Sequence, residues 1–449
     1  MKKPLLCLLA MLGTGMFAQE HFSGINTSRR AGLLNANLNP AELVNLKNTY
    51  EVNVFNFSAN VSNNKVTFGD LVGGEENFED LLFRGNEPVN LRADIDILGP
   101  AFGFKIEKWA FAITSAAKIK ANLTDVDVNL GNSVTSSVGS ALLGTGTIST
   151  NYNQRVAATT WGEIGLSAAR EIYNDGANKL SAGITFNLLF PGSYANMSID
   201  KLKGRISNEN GNAILSDAEA NINFAYSGSL ANDFTDSSNF TDFFAGGLRG
   251  FATDIGFNYQ WLDGLKDDSY KLNAGLSLKN LGSMTFKEDN NVSNSYKLDI
   301  PPLPNGLNLN QFDEVSNIQE IEDVLVQSGY LSQTSSAKDF KVKLPAMLAV
   351  YADYNVYGNW YVTGYLQQKL KDDEMNDQIA IQNLGTITPR YSLNSFEAYM
   401  PLSVSEVAGF TAGIGFRFGG FFIGSGSILS AAVSDTDQAD AYLGFRFGF

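Results

Sequence analysis

The last seven residues, Leu443-Gly444-Phe445-Arg446-Phe447-Gly448-Phe449, place an apolar residue on every second position and finish on an aromatic. Successive side chains of a strand point to opposite faces, so this run predicts a strand with one greasy face. The pattern recurs. Leu180, Ala182, Ile184, Phe186, Leu188 and Phe190 alternate with Ser181, Gly183, Thr185 and Asn187, and Phe251, Ile255, Phe257, Tyr259 and Trp261 alternate with Asp254, Gly256 and Asn258. The whole chain yields about 14 such strands of roughly ten residues, the length that crosses a bilayer when tilted. They fall near 50–61, 91–104, 109–122, 156–170, 179–190, 250–262, 271–282, 342–357, 359–369, 386–394, 396–403, 409–418, 421–429 and 439–449.

In lipid every backbone polar group needs a partner, so strands on this scale must close on themselves. The fold class expected is therefore all-β: a transmembrane antiparallel β-barrel. Hydrophobic residues make up 44% of the chain, yet mean hydropathy is only −0.09, because inward and outward positions average out. Short turns at Glu107-Lys108, Asn174-Asp175-Gly176, Gly358-Asn359, Asn394-Ser395 and Gly419-Gly420 alternate with long segments at 62–90, 123–155, 191–249 and 283–341. Barrels of this class turn tightly in the periplasm and carry long external loops. Parity then places the chain's last residue, and every short turn, on the periplasmic side. The net charge of −15 argues against nucleic acid as a partner.

At the other end, Lys2-Lys3, the apolar run Leu5 to Phe17 and Ala18-Gln19 predict a signal peptide over 1–18. A polar segment over 19–49 follows, and then the barrel over 50–449. The ending on Phe445, Phe447 and Phe449 resembles the insertion signal of outer-membrane barrels, which implies the cell outer membrane, its lipid and the barrel-assembly machinery as surroundings. The one cysteine, Cys7, lies in the leader, and the one histidine, His21, is expected as an exposed terminal residue. Nucleophile–His pairs of the usual kind and zinc sites are thereby excluded, and neither an enzyme nor a cofactor or metal is expected. Asp125 to Gly131 imitates a calcium loop, but Leu130 stands where the loop needs Gly, so the stretch reads better as a strand continuing beyond the membrane.

Asn39-Pro40-Ala41, just ahead of the first strand, and Leu344-Pro345, opening a later one, resemble the long-chain fatty acid transporter superfamily of barrels. The type IX secretion shuttle barrel is a relative by the same signature. That resemblance implies 14 strands and an N-terminal plug folded into the lumen. Gly24-Ile25-Asn26-Thr27-Ser28-Arg29, and the run from Pro389-Arg390-Tyr391 to Gly419-Gly420-Phe421, are more similar to a Bacteroidota barrel family without assigned function. Asn39 capping a short helix with Pro40 at its first position explains the tripeptide equally well.

Gly415-Phe416-Arg417-Phe418-Gly419 and Gly444-Phe445-Arg446-Phe447-Gly448 repeat one pattern. With Phe outward, Arg417 and Arg446 face the lumen near its periplasmic end; Glu397 falls at the same level, and Asp94 and Asp96 also face inward. Charges at that depth need partners. They read either as a latch or filter, the plug carbonyls and Glu42 meeting the arginines, or as ion pairs that fill a narrow barrel. Lys118, Lys120, Glu163, Asp254, Lys279 and Asp353 are further inward candidates, which makes the lumen more polar than a fatty-acid tunnel needs. Phe312, Val315, Ile318, Ile321 and Leu325 predict an amphipathic helix, and Phe78, Leu81 and Leu82 a shorter one. Their apolar faces are expected to pack together over the barrel mouth, or else to form a groove for a hydrophobic ligand or a surface-protein partner. Two functions remain: passage or binding of small molecules, hydrophobic ones included, as in a porin-like barrel, and a non-transporting component of a surface secretion or assembly complex.

Overall fold

The computed structural model describes residues 21–449 apart from 74–77, 136–145, 232–240, 264–268, 313–314, 316 and 434. The expected leader therefore lies outside the described residues. A closed ring of 14 antiparallel strands dominates the fold. In chain order they are Tyr50–Asn63; Val89–Leu98 continued by Ala101–Ile106; Trp109–Val126; Asn153–Asn174; Asn178–Glu209; Gly250–Leu262; and Tyr270–Phe286. Then come Met347–Tyr357; Trp360–Lys369; Leu384–Ser392; Phe396–Tyr399 continued by Leu402–Ser405; Gly409–Ala412 continued by Ile414–Phe418; Phe421–Ser425; and Gln438–Gly448.

Each strand pairs with the next. The last closes on the first, with Phe57 opposite Leu443 and Glu51 opposite Gly448. Closure leaves no bare sheet edge in the lipid. No helix among the described residues is long and apolar enough to cross a membrane. The alternation reads out as exposure: Phe251, Ile255, Phe257, Tyr259 and Trp261 lie outward, while Asp254, Asn258 and Gln260 are buried inside. Two of the three interruptions fall where proline removes a ladder donor, at Gly99-Pro100 and Met400-Pro401, and the third at Gly413. The segment expected as one strand over 342–357 is likewise two pieces, Phe340–Lys343 and Met347–Tyr357, broken at Pro345.

Two of the expected external loops are built of strands instead. The fifth strand runs 32 residues. Its first half pairs with the sixth barrel strand and its second half with Asn212–Ser227, which in turn pairs with Val292–Ile300, and that with Leu331–Ala337. This external lobe has its own apolar core, in which Leu202, Ile206, Leu215, Phe224, Leu298, Ile318 and Leu325 meet. The predicted helix forms over Ile318–Gln327, capped by Asn317, whose side chain accepts from the Glu320 amide at 2.8 Å. It packs on the lobe sheet. The shorter helix, Phe78–Leu82, joins a separate cluster of Val66, Leu81, Leu82, Phe83, Val89 and Val126. The two apolar faces therefore do not pack on each other over the mouth, because each finds sheet to cover nearer in the chain. The strand expected to continue through Asp125 does so to Val126, and a helix, Val128–Thr135, replaces it beyond.

Candidate functional site: a lumen closed at both ends

Residues 22–46 fold back inside the ring and touch its wall on all sides. They contain a helix, Leu33–Leu38, and a 3-10 helix, Pro40–Asn45. Asn39 both caps and anchors. Its side chain accepts from the Ala41 amide at 3.0 Å and donates to the Phe257 carbonyl at 2.9 Å and the Tyr351 hydroxyl at 3.2 Å. The inward face of the wall is glycine at Gly256 and Gly183, where a Cβ would strike Asn39 and Pro40. Pro40 fits the first helical position, where no amide is needed. Next to it Glu42, 4% exposed, accepts from the Tyr351 hydroxyl at 2.5 Å, Asn273 at 2.8 Å, Asn258 at 2.9 Å and Asn45 at 2.7 Å. Glu42 therefore does not meet Arg417 or Arg446. By Asn39 the segment has crossed to the sixth, seventh and eighth strands, whereas the arginines sit on the twelfth and fourteenth.

Both arginines face inward, Arg417 buried and Arg446 partly so. Arg417 Nε lies 2.6 Å from Glu397 Oε2, and its other nitrogens donate to the carbonyls of Gly419 and Leu393. Glu397 also accepts from Ser28 of the inserted segment at 2.9 Å and from Ser392 at 2.6 Å. Arg390 extends the network: it lies 3.8 Å from Glu397 and 2.6 Å from Asp353, which accepts further bonds from Tyr270 and Thr363. Arg446 pairs with Glu51 at 2.9 Å and donates to the Arg30 carbonyl. Losing one member of such a buried network costs about 3–5 kcal/mol, because its partner stays behind uncompensated.

Asp94 and Asp96 are inward but belong elsewhere. They lie opposite Asn60 and Ser58, well up the first strand from Glu51, where Asp94 meets Lys120 at 3.2 Å. Asp96 lies 3.7 Å from His21, whose Nδ1 is 2.9 Å from Ser58 Oγ. His21 is thus inside the barrel rather than an exposed terminal residue, since the segment enters the lumen with it. Lys118, Glu163, Asp254 and Lys279 form a belt at mid-depth. Lys118 lies 3.5 Å from Glu163, Trp161 Nε1 donates to Glu163 at 2.7 Å, and Lys279 donates to the Asn37 carbonyl. The cavity between this belt and Leu33, Leu34 and Ala36 holds about 40 Å³, room for a water or two. Below the segment a cavity of about 430 Å³ opens past Glu42, Lys47, Lys105 and Lys179.

The opposite mouth is closed by a piece of chain that the alternation did not single out. Between the ninth and tenth strands, residues 370–383 fold inward rather than outward. Asp373, 4% exposed, takes Arg92 at 2.7 Å and Lys369 at 2.7 Å. Backbone carbonyls of the same loop take Arg155, Asn153 and Tyr194, while the Ile379 amide bonds the Lys343 carbonyl. Ile379 rests on an inward apolar patch of Trp161, Leu189, Tyr194, Met284, Phe286, Val342 and Leu344. The available signal was small: two isoleucines, Ile379 and Ile381, inside an otherwise polar connection. Among the described residues no group of three or more His, Cys, Asp or Glu could hold a metal ion.

Closed antiparallel ring, outward apolar band and inward polar filling define an integral membrane β-barrel of the outer-membrane type. The chain belongs to a family of unknown function, DUF5723, whose profile matches residues 40–426. No curated protein matches it. Among solved structures it is similar to the toluene transporter TodX of P. putida, at 9% identity and a TM-score of 0.43 over 92% of both chains. It is also similar to the Ralstonia pickettii toluene transporter TbuX, at 10% identity and a TM-score of 0.41 over 97% of this chain and 96% of that one. The translocator domain of the autotransporter NalP from Neisseria meningitidis is similar at 7% identity and a TM-score of 0.33, over 92% and 94% of the two chains.

Proposed function

We propose that the protein sits in an outer membrane and passes small molecules through a lumen that is closed at rest from both sides. The observation that carries this reading is how the inserted segment is held. Its polar anchors are hydrogen bonds to wall groups at Ser28, Asn39 and Glu42, beside apolar contacts of Phe22, Ile25, Leu34, Leu38 and Leu43, with water-accessible space of about 430 Å³ directly below. The polar contacts can be exchanged for water at modest cost, while the apolar ones, against Leu98, Ala112, Leu384 and Tyr399 among others, favour the closed position. The apolar patch under Ile379 supports solutes with a hydrophobic part, the class that the names of TodX and TbuX indicate for those proteins. No catalysis is proposed.

Deleting residues 20–45 should leave a folded barrel whose ion conductance in planar bilayers rises. Unchanged conductance would show that the external loop alone seals the lumen, and a barrel still closed after both elements are removed would end the transport reading. A second reading, a non-transporting component of a surface complex, draws on the lobe: Leu331–Ala337 is an edge strand paired on one side only among the described residues. Such an edge can accept a partner's strand. Co-purification of a surface protein that is lost when 292–337 is removed would favour it.

A further inference from the structure

We propose that the loop 370–383 is an external lid whose Asp373 occupies an anion site, and that a small hydrophilic carboxylate in the medium releases the lid by taking that place. Three cations converge there from separate strands: Arg92 from the second, Arg155 from the fourth and Lys369 from the ninth. Arg92 and Lys369 each lie 2.7 Å from Asp373 Oδ2. Arg155, 1% exposed, bonds neutral groups: the Asn196 carboxamide at 2.5 Å, the Tyr194 hydroxyl at 3.1 Å and the Asp373 carbonyl at 3.3 Å. Arg92 Nε is buried without a hydrogen-bond partner, although Arg92 is only 5% exposed. A buried guanidinium with a spare donor, beside another held only by dipoles, has capacity for more negative charge than one carboxylate supplies.

The site also has access and a moving part. A cavity of about 600 Å³ opens onto it; its lining is polar and carries Asp125, Asp372, Glu374 and Glu406 as well as Lys371, so it suits a small water-soluble ligand, and the draw for an anion comes from Arg92, Arg155 and Lys369 alone. The loop has one other carboxylate tether, Asp377 to Lys343 at 2.6 Å, but both groups are exposed, and a solvated pair of that kind holds little. Its other bonds to the wall use no charged group of the loop, among them those of its backbone to Asn153, Tyr194 and Lys343, and of the Asn376 and Asn383 carboxamides to Asn153, Gln368 and the Lys369 amide. Gln378, 1% exposed, has neither side-chain polar atom partnered, so the closed position strands a carboxamide that opening would hydrate. Asp373 thus plays the part of an internal ligand. An external carboxylate restores the same charge-assisted bonds to Arg92 and Lys369, and the loop, freed of that tether, hydrates Gln378. Glu406, 2.7 Å from Lys369, competes for one of the three cations, which leaves the arginine pair as the part that selects the ligand.

This inference does not depend on solute passage, and its test reads lid position alone. In the purified full-length protein carrying Gln378→Cys, reaction with a membrane-impermeant maleimide should be slow. It should accelerate about tenfold or more with Asp373→Asn, and by a similar factor with succinate in the Asp373 background. Adding Arg92→Gln should abolish the succinate effect. Equal rates with and without Asp373→Asn would overturn the lid, and acceleration by inorganic phosphate alone would overturn the carboxylate assignment. Should Gln378→Cys fail to fold, Ala380→Cys, at 4% exposure equally shielded in the closed loop, must show the same acceleration with Asp373→Asn; an unchanged rate there overturns the lid.

Discussion

Replacing Glu42 by Ala removes the one carboxylate that holds the inserted segment to the sixth, seventh and eighth strands. Glu42 Oε1 accepts from Tyr351, Asn258 and Asn273 at 2.5, 2.9 and 2.8 Å. Those donors are 3%, 1% and 1% exposed, so the wall itself offers them no water. A buried donor left unsatisfied costs about 1–3 kcal/mol. The cavity of about 430 Å³ that reaches Glu42 can admit a water to replace the lost oxygens, which argues for the low end of that range. Three donors at the low end total about 3 kcal/mol, roughly a hundredfold shift from the docked toward the undocked segment. Trypsin reads this directly, because Arg30 is 6% exposed and shielded while the segment is docked. Where opening is fast relative to cleavage, the cleavage rate follows the open population. Cleavage after Arg29 or Arg30 should therefore rise roughly a hundredfold in Glu42→Ala, and no more than about tenfold in Tyr351→Phe, which removes a single donor. Equal cleavage of Glu42→Ala and the unmodified protein would refute the anchoring argument, since the segment would then be held by something other than these bonds.

Three further outcomes are expected. Phe449→Asp should abolish insertion, because the last residue stacks on Tyr50 at 5.4 Å and closes the ring through paired backbone bonds; heat-modifiable barrel in the outer-membrane fraction of such a strain would refute this. A cysteine at the exposed Asp217, on the lobe, should be labelled on intact cells by an impermeant maleimide, and failure would invert the expected orientation; Asp236, in the same acidic connection by sequence, lies outside the described residues. In the lobe, burial first and the Glu322 carboxylate second raise the hydroxyl pKa values of Tyr226 and Tyr296 above the ordinary tyrosine value of 10.0. Their bonds to Glu322 stabilise the lobe fully below that pH and are lost as the pH climbs above it, so near-ultraviolet circular dichroism should show the lobe loosening in alkali, and Glu322→Gln should weaken that dependence.

The alternation of apolar and polar residues determined the barrel. Side-chain direction in a strand is a local property of period two, and lipid forbids an unpaired edge, so Phe251 to Trp261 or Leu443 to Phe449 needs no knowledge of its neighbours to announce an outward face. The same rule puts Arg417, Arg446, Glu397, Asp94 and Asp96 inside. It is silent about which of them meet, because depth and angular position in the ring depend on the register of every pairing between them. Thus Arg417 and Glu397 lie on adjacent strands and pair at 2.6 Å, while Asp94 finds Lys120 and Glu42 finds Tyr351, 309 residues away. The lobe is less legible: Ala218, Ala220, Ile222, Phe224 and Tyr226 alternate as a membrane strand does, but period two shows an apolar face and not what covers it, here the lobe's own core, while Leu331–Ala337, exposed along its length, has no apolar face at all. The lid escaped the reading for a related reason. Its structure is set by partners on the opposite wall, Arg155 lying 218 residues from Asp373, and within the loop only Ile379 and Ile381 hint at the direction in which it folds.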